Sequence, residues 1–193
     1  MLPQSSLDTL FLNARTHNGW LHQPVSDAQL HQIFDLMKMA PTSANCSPAR
    51  FVFVKTEAAR TKLVECVDAG NAQKVNTAPV TAIIGMDMAF YEKLPQLFPH
   101  ANARAWFEGN AEKIADTAFR NSSLQGAYFM LAARASGLDC GPMSGFNHEK
   151  IDAAFWGGTA VKTNFICALG YGDATKLFPR SPRFAFDEAC KIA

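Results

Sequence analysis

The chain has 193 residues, 48% of them apolar, and its 18 basic and 17 acidic side chains leave a formal net charge of +1. That is enough apolar material to bury one full core, so a single domain over residues 1–193 is expected. Near-neutrality without a basic run argues against nucleic-acid and membrane-surface partners alike.

Met1–Asp8 has neither the basic region nor the apolar run of a signal peptide, and no apolar segment approaches the roughly 20 residues that span a bilayer, so a cytoplasmic location is expected. Cys46, Cys66, Cys140, Cys167 and Cys190 show no CxxC spacing. Their pattern predicts reduced, buried thiols and no metal site, with Cys46 the one to watch because it falls in a polar loop.

Leu7, Leu10, Phe11 and Leu12 predict a first helix over Ser5–Ala14, running into a turn at Gly19. Arg15, Thr16, His17 and Asn18 follow it; they have the donors to grip a phosphate and equally suit a surface turn. Ser26 and Gln29 form a capping box ahead of Leu30, Ile33, Phe34 and Met37, which predicts an amphipathic helix over Asp27–Ala40. Pro41 stops it.

The loop that comes next, Thr42–Ser47, carries hydroxyl and amide groups on a backbone with little bulk. A flat aromatic heterocycle could lie there, hydrogen-bonded along its edge; an ordinary polar connection is the alternative. Phe51–Val54 reads as a strand and Glu57–Val67 as a helix. In Asp68–Val75, Asn71 and Lys74 stand one helical turn apart and would face the same way. Pro79–Met86, almost continuously apolar and β-branched, predicts a central strand covered on both faces.

Asp87–Gly109 is broken by Pro95 and Pro99 and holds clustered aromatics with His100 and Arg104 among them. A mobile helical lid is expected there, its rings covering a ligand and Arg104 or His100 meeting an anionic group; irregular packing is the bland reading. Asn110 caps a helix predicted through Ser136, apolar nearly all round, which suits either the centre of the fold or a face shared with a second subunit. Leu138–Phe146 is a short extended piece whose Pro142–Gly145 run brings bare backbone to the surface, and Asn147 opens another helix. Val161–Leu169 is the last strand, followed by a basic, proline-broken tail and a short helix near Phe184–Ala189.

Gly170 and Gly172 lack the third glycine of a dinucleotide fingerprint, and no Walker P-loop, HExxH or GxSxG is present. A Rossmann-bound dinucleotide, a bound ATP, a zinc protease and a serine hydrolase are therefore disfavoured.

Arg15-Thr16, Ala40–Pro48, Asn71–Lys74, Gly141–Phe146 and Arg183, taken in order, resemble the FMN-dependent nitroreductase family over essentially the whole chain. Ala14–Trp20, Leu97–His100 and Phe119–Gly126 are similar to its malonic semialdehyde reductase branch, the enzyme of the Rut uracil-degradation pathway. The resemblance implies an α+β sandwich with a central mixed sheet flanked by helices, interlocked as a homodimer with FMN at the interface. It implies that Arg15 and Arg183 hold the FMN phosphate with Thr16, and that Asn45 and Ser47 support the ring and its ribityl chain. Asn71 and Lys74 would meet the ring's polar edge, and Pro142, Met143, Ser144 and Gly145 would pack beside it. Asn18 stands where much of the family carries a basic residue, and His17, Arg180 or Lys162 are the possible replacements for that charge. NADPH or NADH would be the transient hydride donor, malonic semialdehyde the small-molecule substrate, and Arg104, with Arg120 and His100 behind it, the group that meets the substrate carboxylate. A broad nitro, quinone or enone reductase and a non-catalytic FMN-binding module are the competing readings.

Overall fold

A computed structural model describes residues 1–193. Four strands, β1 (Ala49–Val54), β2 (Val80–Asp87), β3 (Asp139–Met143) and β4 (Val161–Gly170), form one sheet in the order β1-β2-β4-β3. All three ladders are antiparallel, so the sheet expected to be mixed has its one parallel pairing in the isolated bridge between Thr16 and Cys140. The β2 strand is central, as its apolar run requires: alternating side chains send Ile83 to one face and Ile84 to the other, both fully buried.

The two faces carry separate cores. On one, Leu63 of α3 (Glu57–Val64), Val75 of α4 (Ala69–Thr77) and Ile151 of α7 (His148–Phe155) pack with Ile83 and Ile166. On the other, Leu30, Ile33 and Met37 of α2 (Asp27–Met37) join Phe129 and Ala133 of α6 (Ala111–Ala135) over Ile84 and Leu169. Close approach of α6 depends on Gly126, where a Cβ would stand 2.5 Å from the Phe165 ring.

The local signals fall where the sequence put them. Ser26 and Gln29 form the reciprocal capping box of α2, Asn110 accepts from the Lys113 N–H at the start of α6, and Asn147 does the same for Lys150 in α7. Boundaries moved more: α2 stops at Met37, three residues before the expected end. The first helix is a single turn, α1 (Gln4–Leu7), that widens into a π-turn over Asp8–Leu12.

The aromatic stretch after β2 folds into short 3₁₀ pieces, Phe90–Lys93 and Ala103–Trp106, around α5 (Leu94–Leu97). Phe90, Leu94, Ala103 and Phe107 form a third apolar cluster of their own, and Cys46 from the loop before β1 plugs into it. The tail from Phe178 onward, with the short helix α8 (Phe186–Ala189), is exposed along its whole length. No helix is long and apolar enough to cross a membrane.

Candidate functional site

Strand β3 brings the distant loops together. Thr16 bridges Cys140, and the His17 N–H donates to the Cys140 carbonyl at 3.0 Å, which fixes the Arg15–Asn18 turn along the edge of the sheet. Around that turn lies a cleft of about 700 Å³ lined by Arg15, Thr16, Asn18, Arg134, Arg180 and Arg183, with Phe11 and Phe178 as its apolar walls. Arg15 donates to the Phe178 carbonyl, Arg134 to Leu10, Arg180 to Leu12 and Ala14, and Arg183 to Ser181 and Pro182. None of these guanidinium groups takes part in an ion pair, and no carboxylate lines the cleft. Uncompensated, converging guanidinium forks suit a phosphate.

Arg15 and Arg183, 168 positions apart in the chain, thus share one wall. Of the three groups considered as replacements for the missing charge at Asn18, the structure puts only Arg180 in the cleft. His17 is buried against Trp20, with Nε2 3.4 Å from Asp139 and the ring so close to Gly172 that a Cβ there would stand 2.0 Å from Nδ1. Lys162 lies near Asp152 at 3.5 Å, in a separate groove beside Trp156. Arg134 was missed by sequence reasoning, because on the last turn of a long helix it reads as an ordinary surface cation.

Beside the Arg15–Asn18 turn, the exit of β3 packs tightly against that turn and against α4 at two glycines. A Cβ on Gly141 would meet the His17 carbonyl oxygen at 2.5 Å and the Lys74 chain at 3.2 Å; one on Gly145 would meet Asn71 Nδ2 and Asp68 Oδ2, each at 2.7 Å. Asn71 donates to the Gly145 carbonyl at 2.8 Å, so α4 is tied to the segment that carries Pro142, Met143 and Ser144. Lys74 is buried on the same helix face, forms no ion pair, and burial pulls its ammonium below the usual lysine range. A buried, unpaired cation is suited to negative charge on a ligand.

Asn45 and Ser47 lie elsewhere. Their loop is held by α6 and α5: the Ser43 N–H donates to Asn121 Oδ1 at 2.8 Å, and Asn45 Nδ2 donates to the Leu97 carbonyl at 2.8 Å. Asn121 and Arg134 are 13 residues apart on one helix, which at 1.5 Å per residue separates the loop's anchor from the arginine cleft by about 20 Å. Within one chain the expected cofactor residues therefore form two groups, one at the cleft and one at the loop. Cys46, in that loop, is buried, and burial pushes its thiol up to about 11; it is inert packing rather than a nucleophile.

The residues expected to meet a substrate carboxylate are already engaged or exposed. Arg104 sits between Glu92 (Nε to Oε2 2.9 Å) and Glu108 (3.4 Å), and Glu92 raises its proton affinity further. Arg120 pairs with Asp116 at 2.8 Å one turn back along α6, and His100 is exposed with its ring edge against Phe98. These three are not gathered around a common cavity with the cleft.

An antiparallel sheet packed between helices, with an acid-free arginine cleft along its β3 edge and a buried lysine nearby, is an α+β scaffold with a site for an anionic ligand. Comparison with known proteins gives the family: the chain belongs to the nitroreductase family, whose model matches residues 13–172. It is 62% identical over 191 residues to a Burkholderia lata protein named as a candidate NADH dehydrogenase/NAD(P)H nitroreductase, covering 99% of this chain and 98% of that one. Among solved structures it is similar to a Bacillus subtilis nitroreductase homologue (TM-score 0.89, 22% identity, 99% of this chain and 100% of that chain). A second, from Exiguobacterium sibiricum, is described as a nitroreductase homologue in complex with FMN (TM-score 0.84, 21% identity, 95% of each chain).

Proposed function

We propose that this protein is a homodimeric, FMN-dependent NAD(P)H oxidoreductase that reduces malonic semialdehyde to 3-hydroxypropanoate in pyrimidine degradation. The observation that carries the flavin reading is the acid-free arginine cleft, with the turn that carries Arg15 packed on β3 and the unpaired Lys74 against the same strand. Bound FMN would supply hydride-transfer chemistry between NADH or NADPH and the substrate carbonyl carbon, with a proton from solvent completing the alcohol. Arg15 and Arg183 hold its phosphate, with Thr16 and Arg180 at hand. Lys74 offsets negative charge at the ring's polar edge, Asn71 orients the Gly145 segment, and Gly141 and Gly145 let the Arg15–Asn18 turn and α4 pack closely on β3.

Two features support assembly with a second copy. Asn121, which anchors the Asn45–Ser47 loop, and Arg134 of the cleft are about 20 Å apart along α6, which favours a ligand that meets the cleft of one chain and the loop of another. Phe119, Leu124 and Tyr128 of α6 and Phe178, Phe184 and Phe186 of the tail are exposed, an apolar surface of the kind that marks an interface.

The engagement of Arg104 by two glutamates favours a second reading, a broad nitro, quinone or enone reductase without a carboxylate clamp. Anaerobic addition of NADPH and NADH to the FMN-loaded protein tests the redox role: bleaching of the flavin absorbance is expected, and its absence would leave a binding module. Turnover on malonic semialdehyde against a nitroaromatic and an enone then separates the two enzymes.

A further inference from the structure

Two polar side chains of α6 are buried where the sequence pattern predicts apolar contact. Asn121 is 1% exposed and Gln125 4%, and they stand one turn apart on the face turned toward β1. They accept from the two ends of the loop before β1: the Ser43 N–H donates to Asn121 Oδ1 at 2.8 Å and the N–H of Ala49, the first residue of β1, to Gln125 Oε1 at 2.8 Å. The Asn121 amide is itself oriented, its Nδ2 donating to the Thr117 carbonyl at 2.8 Å.

Between those two anchors the backbone is left-handed at three non-glycine residues, Ala44 (φ 49°), Asn45 (φ 50°) and Ser47 (φ 39°). Each such residue costs on the order of 1 kcal/mol or more and persists only where its surroundings hold it. The internal bonds of the loop, Asn45 N–H to the Thr42 carbonyl at 3.0 Å and Ser47 N–H to Thr42 Oγ1 at 3.1 Å, close the turn. Asn45 Nδ2 to the Leu97 carbonyl, the buried Cys46 and Arg50 to the Ser47 carbonyl tie down its middle, and Asn121 and Gln125 fix the backbone N–H groups at its two ends.

We infer that Asn121 and Gln125 are positioning residues for the flavin site, holding the loop that carries Asn45 and Ser47 in its left-handed shape by accepting the N–H groups at both of its ends. This rests on the flavin reading given above. It extends that reading to side chains outside the arginine cleft that face the loop rather than the ligand.

The test compares variants that lose the acceptor, Asn121→Leu and Gln125→Met, with variants that keep one: Gln125→Glu, and Asn121→Asp, which gives up only the donor to the Thr117 carbonyl. In the flavin-free protein, amide hydrogen exchange at Ser43 and Ala49 should quicken by about tenfold or more on acceptor loss, as follows from leaving a buried donor unpaired. In the same variants the FMN dissociation constant should rise by about tenfold or more and the midpoint potential of bound FMN should shift, while the acceptor-keeping variants recover both. Loss of thermal stability with unchanged FMN affinity and potential would reduce the pair to ordinary structural groups and overturn the inference, as would faster exchange without any change at the flavin. If the wild-type protein binds no FMN while exchange at Ser43 and Ala49 still responds, the proposed function fails although the loop anchoring stands. Should Asn121→Leu not fold, Asn121→Ser, which shortens the acceptor without adding apolar bulk, supplies the same comparison.

Discussion

Gly141→Ala is the sharpest single perturbation of the contact between β3 and the Arg15–Asn18 turn. The new Cβ would sit 2.5 Å from the His17 carbonyl oxygen, and ordinary contact begins at 3.4 Å, so something must yield by about 0.9 Å. Neither side yields cheaply. His17 is held by its N–H bond to Cys140 and by the Thr16–Cys140 bridge, and Gly141 is paired with Ala168 in the ladder between β3 and β4. Overpacking of this kind costs about 1–3 kcal/mol. For a chain of this size, each kcal/mol lowers the midpoint by about 2–4 °C, which gives a drop of about 2–12 °C in thermal unfolding followed by circular dichroism. Prying β3 away from the Arg15–Asn18 turn also misplaces the phosphate donors. Loss of one charge-assisted bond, about 1.5–3 kcal/mol, corresponds to FMN binding weakened by about tenfold or more in a fluorescence titration. Gly70→Ala is the control: nothing lies within 4 Å of its Cβ position, so the change should be neutral or stabilise α4 by up to about 1 kcal/mol. A Gly141→Ala protein that melts and binds FMN like the wild type would refute the reasoning.

Arg15→Ala and Arg183→Ala should each weaken FMN binding by about tenfold to a hundredfold, from a charged hydrogen bond of about 1.5–3 kcal/mol, while riboflavin, which lacks the phosphate, binds all three proteins equally. Lys74→Met should weaken FMN binding while leaving the flavin-free protein at least as stable, since it removes a desolvated cation. The sign of the pH dependence follows: with the folded pKa below the unfolded value, the unfolded chain binds more protons between the two, so Lys74 makes stability rise with pH across that window, and urea unfolding of Lys74→Met should lack that rise. For the substrate, Glu92→Gln should lower the KM for malonic semialdehyde and Arg104→Ala should raise it if Arg104 meets the carboxylate. Equal KM values across the series would remove Arg104 from that role.

What the sequence made legible was local. The caps at Ser26, Asn110 and Asn147, the apolar run of β2 and the shared face of Asn71 and Lys74 are set by neighbours within a turn or a strand. Arg15 and Arg183 came from family resemblance, since no periodicity links residues so far apart. Arg134 and the engagement of Arg104 by Glu92 depend on how separate segments dock. Asn121 and Gln125 were hidden by the pattern itself: a polar residue on a buried helix face reads as dilution of an apolar stripe until the N–H groups it receives are seen. The aromatic stretch after β2 looked like a cover for a ligand; its rings have a core of their own to pack.

A crystal structure of the protein equilibrated with FMN tests the central claim most directly. The account predicts the phosphate within hydrogen-bonding distance of the Arg15 and Arg183 guanidinium groups, the ring beside Gly141, Gly145 and Lys74, and Asn45 and Ser47 reaching it from a second copy of the chain. An arginine cleft left without phosphate, or a flavin bound away from β3, would contradict it.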